Sequence, residues 1–186
     1  MHRLDRATAG VILFSTNPET RGAYQVLFER REIRKEYECV SALSPAAGVW
    51  SPGPGPAGHG FPLVYRNRMA KVKGTLLSSV EDGEPNAESR VDLIRTGRSN
   101  GTHAGADVGL FRLRPHTGKT HQLRVHMAAL GLGILNDPFD PVLLDKAPDD
   151  HSRPLQLVAR SIAFTDPLTG REVEFRSARQ LRERPE

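Results

Sequence analysis

Short apolar segments bounded by turn residues recur along this chain of 186 residues and constrain its fold more than any other feature. Segments of this kind, rich in β-branched residues or alternating in polarity, are typical of strands. Two stretches with apolar residues at helical spacing favour helices instead. The pattern predicts an α+β domain with strands at 10–15, 34–43, within 69–80, 88–95, 109–114, 155–158, 160–164 and 172–175, and helices at about 18–31 and 117–131.

Turn and capping residues divide the chain further. Asn17 followed by Pro18 is typical of a helix start, and Gly131 of a helix end. The Pro- and Gly-rich segment 44–62 predicts a long loop, and the charged tail 177–186 is expected to fray. The length of 186 residues suits one domain with a core, so we expect a single domain over 1–186. No repeat of fixed period is present.

Composition narrows the setting of the protein. Hydrophobic residues make up 38% of the chain, and no apolar run approaches the ~20 residues that span a bilayer. The first residues, MHRLDR, lack the apolar core of a signal peptide. Cys39 is the only cysteine, which excludes an internal disulfide framework and a multi-cysteine metal site. We therefore expect a cytoplasmic protein, without membrane contact and monomeric.

The distribution of charge suggests an anionic partner. The net charge is +4, and no acidic residue occurs between Glu38 and Glu81 or between Asp107 and Asp137. Basic residues within these two stretches could meet as one positive surface that neutralises phosphates. The alternative is that each stretch is a solvated face whose counter-charges are supplied by the fold.

One cluster able to carry chemistry is the segment His2–Gly10 (HRLDRATAG), in which Arg3 and Arg6 flank Asp5. Neighbouring positive charge lowers the pKa of a carboxylate and keeps it ionised, so that it can act as a nucleophile or a base. In an extended segment Arg3 and Asp5 share a face, while Arg6 points elsewhere. The alternative is a surface ion pair of little energetic value.

A second cluster runs from Arg114 to His126 (RPHTGKTHQLRVH). It is not a nucleotide-binding P-loop, because Leu113 stands where that motif requires a glycine. His121 and His126 are five positions apart and superpose poorly on a helix, which argues against zinc. His121 and Arg124, three apart, share a helix face, and the guanidinium could reach an anion or a catalytic carboxylate.

Together the two clusters resemble the signatures of the RluA-type RNA pseudouridine synthases. HRLDRATAG is similar to HRLDR-x-T-(S/A)-G, and RPHTGKTHQLRVH is similar to R-x-x-TGR-THQ-(I/L)-RVH, in the same order. RKEYECV, at 34–40, resembles the family strand K-x-Y-x-(A/C)-x-V. The segment 155–175 resembles the family's closing hairpin. The resemblance implies an α+β catalytic domain with a mainly antiparallel sheet and a few flanking helices.

The resemblance also implies roles for individual residues. Asp5 is expected to act on the uridine, Arg124 to pair with Asp5, and Tyr37 to lie against the uracil ring. Arg3 is expected to fill the space that the flipped-out base leaves. Further candidates for substrate binding are Arg6, Lys119, His121 and Gln122, although Gln122 and His121 could instead satisfy backbone groups.

The implied reaction converts uridine into pseudouridine in structured ribosomal or transfer RNA. The N1–C1′ bond breaks, the base turns, and C5 joins C1′, so that no redox cofactor, metal ion or ATP is required. The carboxylate either traps C1′, as in glycoside chemistry, or abstracts a sugar proton. The base must leave its stack to react, and an aromatic side chain can stack on it.

Two departures from the family pattern stand out. Lys119 occupies a position where arginine is more usual, a modest change at a phosphate contact. Family members carry strands before HRLDR, whereas this chain begins one residue before His2. We therefore expect an N-terminally shortened domain with an uncovered sheet edge. The competing hypothesis is a non-catalytic RNA-binding fragment of such an enzyme.

Overall fold

The computed structural model describes residues 2–43, 60–71, 78–138 and 151–186. Within them lie eight strands and two α-helices. In chain order these are β1 (Ala9–Gly10), α1 (Arg21–Glu29), β2 (Arg34–Ala42), β3 (Leu63–Lys71), β4 (Ser78–Glu81), β5 (Ala87–Arg98), β6 (Asp107–Pro115), α2 (Gln122–Ala129), β7 (Leu157–Thr165) and β8 (Glu172–Arg176).

All eight strands belong to one sheet, in the order β1-β7-β2-β6-β5-β3-β4, with β8 also paired to β7. Every pairing is antiparallel except that of β1 with β7. The predicted α+β class with a mainly antiparallel sheet is thereby confirmed. Because β2, β6 and β5 are central, their side chains form the core on both faces of the sheet.

Alternating side chains of the central strands build a separate cluster on each face. On one face Cys39, Phe111 and Leu113 pack against Leu123 and Met127 of α2. On the other face, the intervening residues Val40, Val108, Leu110 and Val158 pack against Leu181. Burial of such side chains on both faces explains why β2 and β6 show little alternation in polarity.

The segment 10–15 differs from the buried strand that was predicted. Only Ala9 and Gly10 form a ladder, parallel to Val158 and Ala159 of β7. Val11 and Leu13 pack near α1, whereas Ile12 and Phe14 are exposed, Phe14 by 70%. The apolar run predicted a strand buried on both faces, but only one face of the segment is covered.

Other strands and helices begin or end at different residues from those predicted. The segments 155–158 and 160–164 form one continuous strand, β7, which carries a bulge opposite Glu36 and Tyr37 of β2. Both helices are shorter than predicted because turns precede them. In 69–80 the structure describes two paired strands, β3 and β4, while 72–77 and most of the predicted loop, 44–59, lie outside the described residues.

The C-terminal tail is docked along its length, contrary to the expectation that it frays. Leu181 is buried in the core, and Glu183 is only 1% exposed. The Glu183 carboxylate accepts hydrogen bonds from the Ser99 hydroxyl (2.6 Å) and from the backbone N–H groups of Thr102 (2.9 Å) and His103 (3.0 Å). Pro185 adds a bridge to Ser99. A charged composition concealed these two buried anchors.

Two negative findings apply to the described residues alone. Among 2–43, 60–71, 78–138 and 151–186, no helix is long and apolar enough to cross a membrane. The same residues contain no group of three or more His, Cys, Asp or Glu side chains able to hold a metal ion.

Candidate active site

The position of Asp5 is set by a tight turn and by the short parallel strand that follows it. The Thr8 N–H donates to the Asp5 carbonyl at 2.9 Å, and β1 then joins β7. Gly10 has φ +117°, and a Cβ at this position would lie 2.2 Å from the Ala159 carbonyl oxygen. Only glycine permits this approach, so Gly10 fixes the turn that bears Asp5 against the sheet.

The beginning of α2 lies opposite this turn. His121 precedes the helix with φ +55°, a left-handed conformation that is uncommon for a residue with a side chain. Gln122 follows and fastens the preceding turn: its Oε1 accepts from the Thr117 hydroxyl (2.7 Å) and the Lys119 N–H (3.0 Å). Its Nε2 donates to the Glu88 carbonyl and the Ser89 hydroxyl, both at 2.9 Å.

Between the Asp5 turn, β2 and the start of α2 lies a cleft of about 440 Å³. Seven of the eight predicted site residues line it, and Arg6 does not. We refer to this candidate active site as the catalytic cleft. Its described residues that bear on chemistry are His2, Arg3, Asp5, Thr8, Phe28, Arg31, Lys35, Tyr37, Lys119, His121, Gln122 and Arg124.

The catalytic cleft is strongly positive. Asp5 is the sole carboxylate among its described lining residues, which include five cationic side chains: Arg3, Arg31, Lys35, Lys119 and Arg124. Burial lowers the pKa of Lys35, which is consistent with an ammonium group partly withdrawn from water. A polyanion is the partner that such a lining favours.

Basic residues of the two acid-free stretches divide into a paired group on the sheet and a group that lines the catalytic cleft. On the sheet, Arg112 and Arg114 contact Glu36 at 3.1 Å, and Arg66 contacts Glu88 at 2.7 Å. For these arginines the fold supplies counter-charges, as the alternative interpretation held. By contrast, Lys119 and Arg124 of the second stretch contribute to the catalytic cleft, where the predicted positive surface is found.

Arg124 lies at the base of the catalytic cleft and is 3% exposed. Its Nη1 is 4.0 Å from Asp5 Oδ2, which places the predicted partners beside one another. Its closer partner is Asp137, which accepts from Nε at 2.7 Å and from Nη2. Asp137 is itself buried. The arginine is therefore held by one acid while it faces another.

Burial and the neighbouring charges shift the pKa values of two side chains beside Asp5, Tyr37 and His121. Tyr37 projects from β2, and burial, followed by the negative charge of Asp5, raises the pKa of Tyr37 to about 12. His121 Nε2 lies 3.7 Å from Asp5 Oδ1. Burial lowers the pKa of His121, an effect that Asp5 opposes and Arg124 reinforces. Tyr37 is thus a neutral phenol and His121 a neutral imidazole at neutral pH.

For Arg6 and Gln122, two of the predicted substrate-binding residues, the structure does not favour contact with a substrate beside Asp5. Arg6 does not line the catalytic cleft and lines a separate groove instead. Gln122 uses both polar atoms of its side chain within the protein. The geometry therefore favours the structural alternative for Gln122, which positions the turn carrying Lys119.

Sequence reasoning missed Asp137 and Lys35. Asp137 is the acid that ends the second acid-free stretch, and its place shortly after the largely apolar segment 130–135 was the available signal. Lys35 stands two positions before Tyr37 in the quoted segment RKEYECV, which was a signal for a shared site.

Comparison with known proteins agrees with this fold. The family model described as RNA pseudouridylate synthase matches residues 1–129. The dual-specificity RNA pseudouridine synthase RluA of Salmonella typhi is 32% identical over 181 residues, covering 95% of this chain and 71% of the relative. RluA of Escherichia coli K12 is 31% identical over 182 residues, with the same two coverages of 95% and 71%.

Solved structures share the fold at lower identity. Human RNA pseudouridylate synthase domain containing 1 superposes with a TM-score of 0.69 at 20% identity, covering 96% of this chain and 67% of that one. Human RNA pseudouridylate synthase domain containing 4 has a TM-score of 0.61 at 22% identity, with coverages of 97% and 70%.

The chain belongs to the RNA pseudouridylate synthase family. Within that family it is an RluA-type enzyme, an isomerase that converts uridine into pseudouridine in RNA. The predicted family, fold and reaction are confirmed, and the competing hypothesis of a non-catalytic fragment is not favoured.

Proposed function

We propose that the catalytic cleft isomerises a uridine flipped out of a structured ribosomal or transfer RNA, with Asp5 as the catalytic carboxylate. The observation that carries this assignment is the isolation of Asp5 as the sole carboxylate among the described lining residues, surrounded by cations. The similar RluA proteins are named dual-specificity enzymes, which favours more than one class of RNA as substrate.

Asp5 has the chemistry that the reaction needs. As the N1–C1′ bond weakens, electron deficiency builds at C1′, and a carboxylate beside the sugar stabilises it or bonds to it. The alternative route, abstraction of a sugar proton, uses the same ionised carboxylate as a base. In both routes C5 replaces N1 at C1′, C5 loses its proton to solvent, and N1 gains one.

Three neighbours of Asp5 have distinct proposed roles. Tyr37 stacks on the uracil, because its ring lies beside Asp5 and its hydroxyl stays neutral. Arg124 faces Asp5 from 4.0 Å and places a positive charge beside the carboxylate. Arg3, exposed at the mouth of the catalytic cleft, occupies the space left by the extruded base.

The remaining cations bind the RNA backbone. Lys119 and Arg31 are exposed on the rim of the catalytic cleft, and Lys35 lies deeper inside it. Within the part of the chain that the structure describes, none of these three has an acidic partner within 4.0 Å. Phosphates flanking the target uridine would supply counter-charges for Lys119 and Lys35, whereas the charge of Arg31 also acts on Glu88 and helps to lower its pKa. His121, neutral beside Asp5, orients the carboxylate.

The test is to incubate the protein separately with unmodified ribosomal RNA and unmodified transfer RNA. Pseudouridine is then mapped by carbodiimide labelling and primer extension, with Asp5→Asn as the matched inactive control. Modification at defined uridines of either RNA class, absent with Asp5→Asn, supports the assignment. Modification by the Asp5→Asn protein at the same sites would refute the role of Asp5. Size-exclusion chromatography of the active protein tests the proposed monomer, and cell fractionation the proposed cytoplasmic location.

A further inference from the structure

A second groove, of about 590 Å³, lies on the opposite side of the turn that bears Asp5. Thr8 lines both this groove and the catalytic cleft, so the two depressions meet at this turn. One wall is formed by the turn itself, with Arg6, and the other by the docked tail, with Arg179 and Arg182. We call this second depression the tail groove.

The wall formed by the tail is fixed rather than loosely attached. Arg160 Nη1 donates to the backbone carbonyls of Ser177 (2.8 Å) and Arg179 (2.7 Å). Leu181 is buried in the core beyond that point, and Glu183 is anchored to the 99–103 turn. The side chains of Arg179 and Arg182, which lie between and beside these anchors, are presented to solvent. Their positions relative to Asp5 are therefore preorganised for binding.

The lining of the tail groove selects the kind of ligand. Its described lining residues include Arg6, Arg179, Arg182 and His151, and no Asp or Glu. They also include no Phe, Tyr or Trp, so a platform for stacking bases is lacking. A concentration of guanidinium groups in a groove whose described lining offers no stacking platform matches phosphates rather than bases.

We propose that the tail groove binds the sugar–phosphate backbone of the RNA that flanks the target uridine. The strand passes from the catalytic cleft over Thr8 and continues between Arg6 and the tail arginines. This inference rests on the proposed function, because it assumes that RNA occupies the catalytic cleft. It assigns to the C-terminal tail a part in RNA affinity that is independent of the chemistry at Asp5.

The test compares two double variants that remove the same charge. Arg179→Gln/Arg182→Gln changes the tail groove, whereas Arg21→Gln/Arg171→Gln changes exposed arginines in α1 and in the β7–β8 turn that line neither groove. Binding is measured by fluorescence anisotropy over a range of salt concentrations, with a labelled RNA stem-loop whose arms extend beyond the target uridine. Tritium release gives kcat and KM for the same RNA.

The tail-groove variant should bind roughly tenfold more weakly, and its log–log salt slope should be smaller by about 1.4 to 1.8, which corresponds to two lost phosphate contacts. KM should rise in proportion while kcat is unchanged. With a minimal RNA of the target loop alone, the variant and the control should bind alike. Equal affinities and salt slopes of the two variants for the long RNA would overturn the proposal, as would equal losses on the minimal RNA.

The failure of this inference is distinguishable from failure of the proposed function. Binding is read without turnover, so the salt slopes decide the role of the tail groove even if no isomerisation occurs. Conversely, activity lost in Asp5→Asn with normal salt slopes in the tail-groove variant would support the active site and reject the groove. Unchanged melting temperatures of both double variants exclude misfolding as the cause of weaker binding.

Discussion

Arg124 donates hydrogen bonds to both carboxylate oxygens of Asp137, while its remaining nitrogen, Nη1, lies 4.0 Å from Asp5. The guanidinium plane is rigid, so two bonds to Asp137 determine where Nη1 points. Asp137 is thus a positioning residue for the proposed catalytic pair. It also supplies the counter-charge that a 3% exposed arginine requires.

Asp137→Asn should therefore reduce both stability and turnover. Removal of one partner of a buried ion pair leaves an uncompensated charge, which typically costs about 3 to 5 kcal/mol. We expect the free energy of unfolding in urea to fall by about that amount. We also expect kcat to fall more than KM rises, because Arg124 would no longer be held toward Asp5.

A double variant separates these two effects. Arg124→Met/Asp137→Leu removes both charges and should recover most of the stability, since a buried pair can be replaced by apolar residues at little cost. It should not recover turnover, because the cation facing Asp5 is gone. Wild-type kcat in either variant would contradict a positioning role for Asp137.

The ring of Tyr37, rather than its hydroxyl, should account for its contribution. Stacking of a base on an aromatic side chain is worth about 1 to 3 kcal/mol. Tyr37→Leu should therefore raise KM by about five- to 150-fold, whereas Tyr37→Phe should change it little. Because the pKa of Tyr37 is raised to about 12, the hydroxyl should not ionise between pH 7 and 10. The pH–rate profiles of the wild type and of Tyr37→Phe should therefore have the same shape over that range. An inflection that Tyr37→Phe removes would indicate that the hydroxyl ionises during the reaction.

How far the sequence alone predicted this site depends on the residue. The turn at Asp5 and the start of α2 carry long signatures, so their meeting across 119 positions followed from resemblance. Asp137 was not predicted as the partner of Arg124, because an acid in a turn has no periodicity that reveals its burial. Gln122 was ambiguous, since four hydrogen bonds to the turn and β5 exist only in three dimensions.

His126 should make the fold sensitive to mild acid. Burial lowers the pKa of His126 to about 4, and its Nε2 lies 2.9 Å from Asn67 Oδ1. The unfolded chain therefore binds a proton more readily than the folded protein does. The contribution of the neutral His126 to the free energy of unfolding should be fully present above pH 6.5. It should be lost as the pH falls from about 6.5 to about 4, by up to about 3 kcal/mol.

Urea unfolding at several pH values tests this prediction. His126→Gln keeps a donor for Asn67 but cannot gain a proton, so its stability should vary less over the same pH window. His151→Gln, at an exposed position, should follow the wild type. A wild-type profile in His126→Gln would show that another group causes the acid sensitivity. His2, whose pKa burial also lowers to about 4, would be the next candidate.

Glu183 should contribute to stability although it lies only three residues before the last residue, Glu186. Burial alone would raise the pKa of its carboxyl, but hydrogen bonds from Ser99, Thr102 and His103 together lower it to about 2. In Glu183→Gln an NH2 group replaces one carboxylate oxygen, so a donor would face the hydroxyl and N–H donors of the 99–103 turn. We expect a loss of about 2 kcal/mol in the free energy of unfolding, whereas Glu186→Gln, exposed at the end of the tail, should have little effect.

The tail and the segment 10–15 show where sequence patterns fail in opposite directions. In the tail Leu181, Glu183 and Pro185 are buried at every second position, but only one of the three is a typical apolar core residue, so the polarity of the sequence does not reveal the alternation. In 10–15, an unbroken apolar run suggested a buried strand, yet only β1 pairs and Phe14 is exposed. In both segments burial depends on contacts with distant parts of the chain: the tail packs on the core and the 99–103 turn, whereas the exposed side of 10–15 has no such contact among the described residues.

The most direct test of the catalytic assignment is tritium release from RNA labelled at C5 of uridine. Formation of the C5–C1′ bond expels that hydrogen, so its release into water reports the isomerisation itself. We predict release by the wild-type protein and none by Asp5→Asn, with RNA affinity largely retained because phosphate contacts dominate binding. Wild-type release by a folded Asp5→Asn protein would contradict the assignment of Asp5 as the catalytic carboxylate.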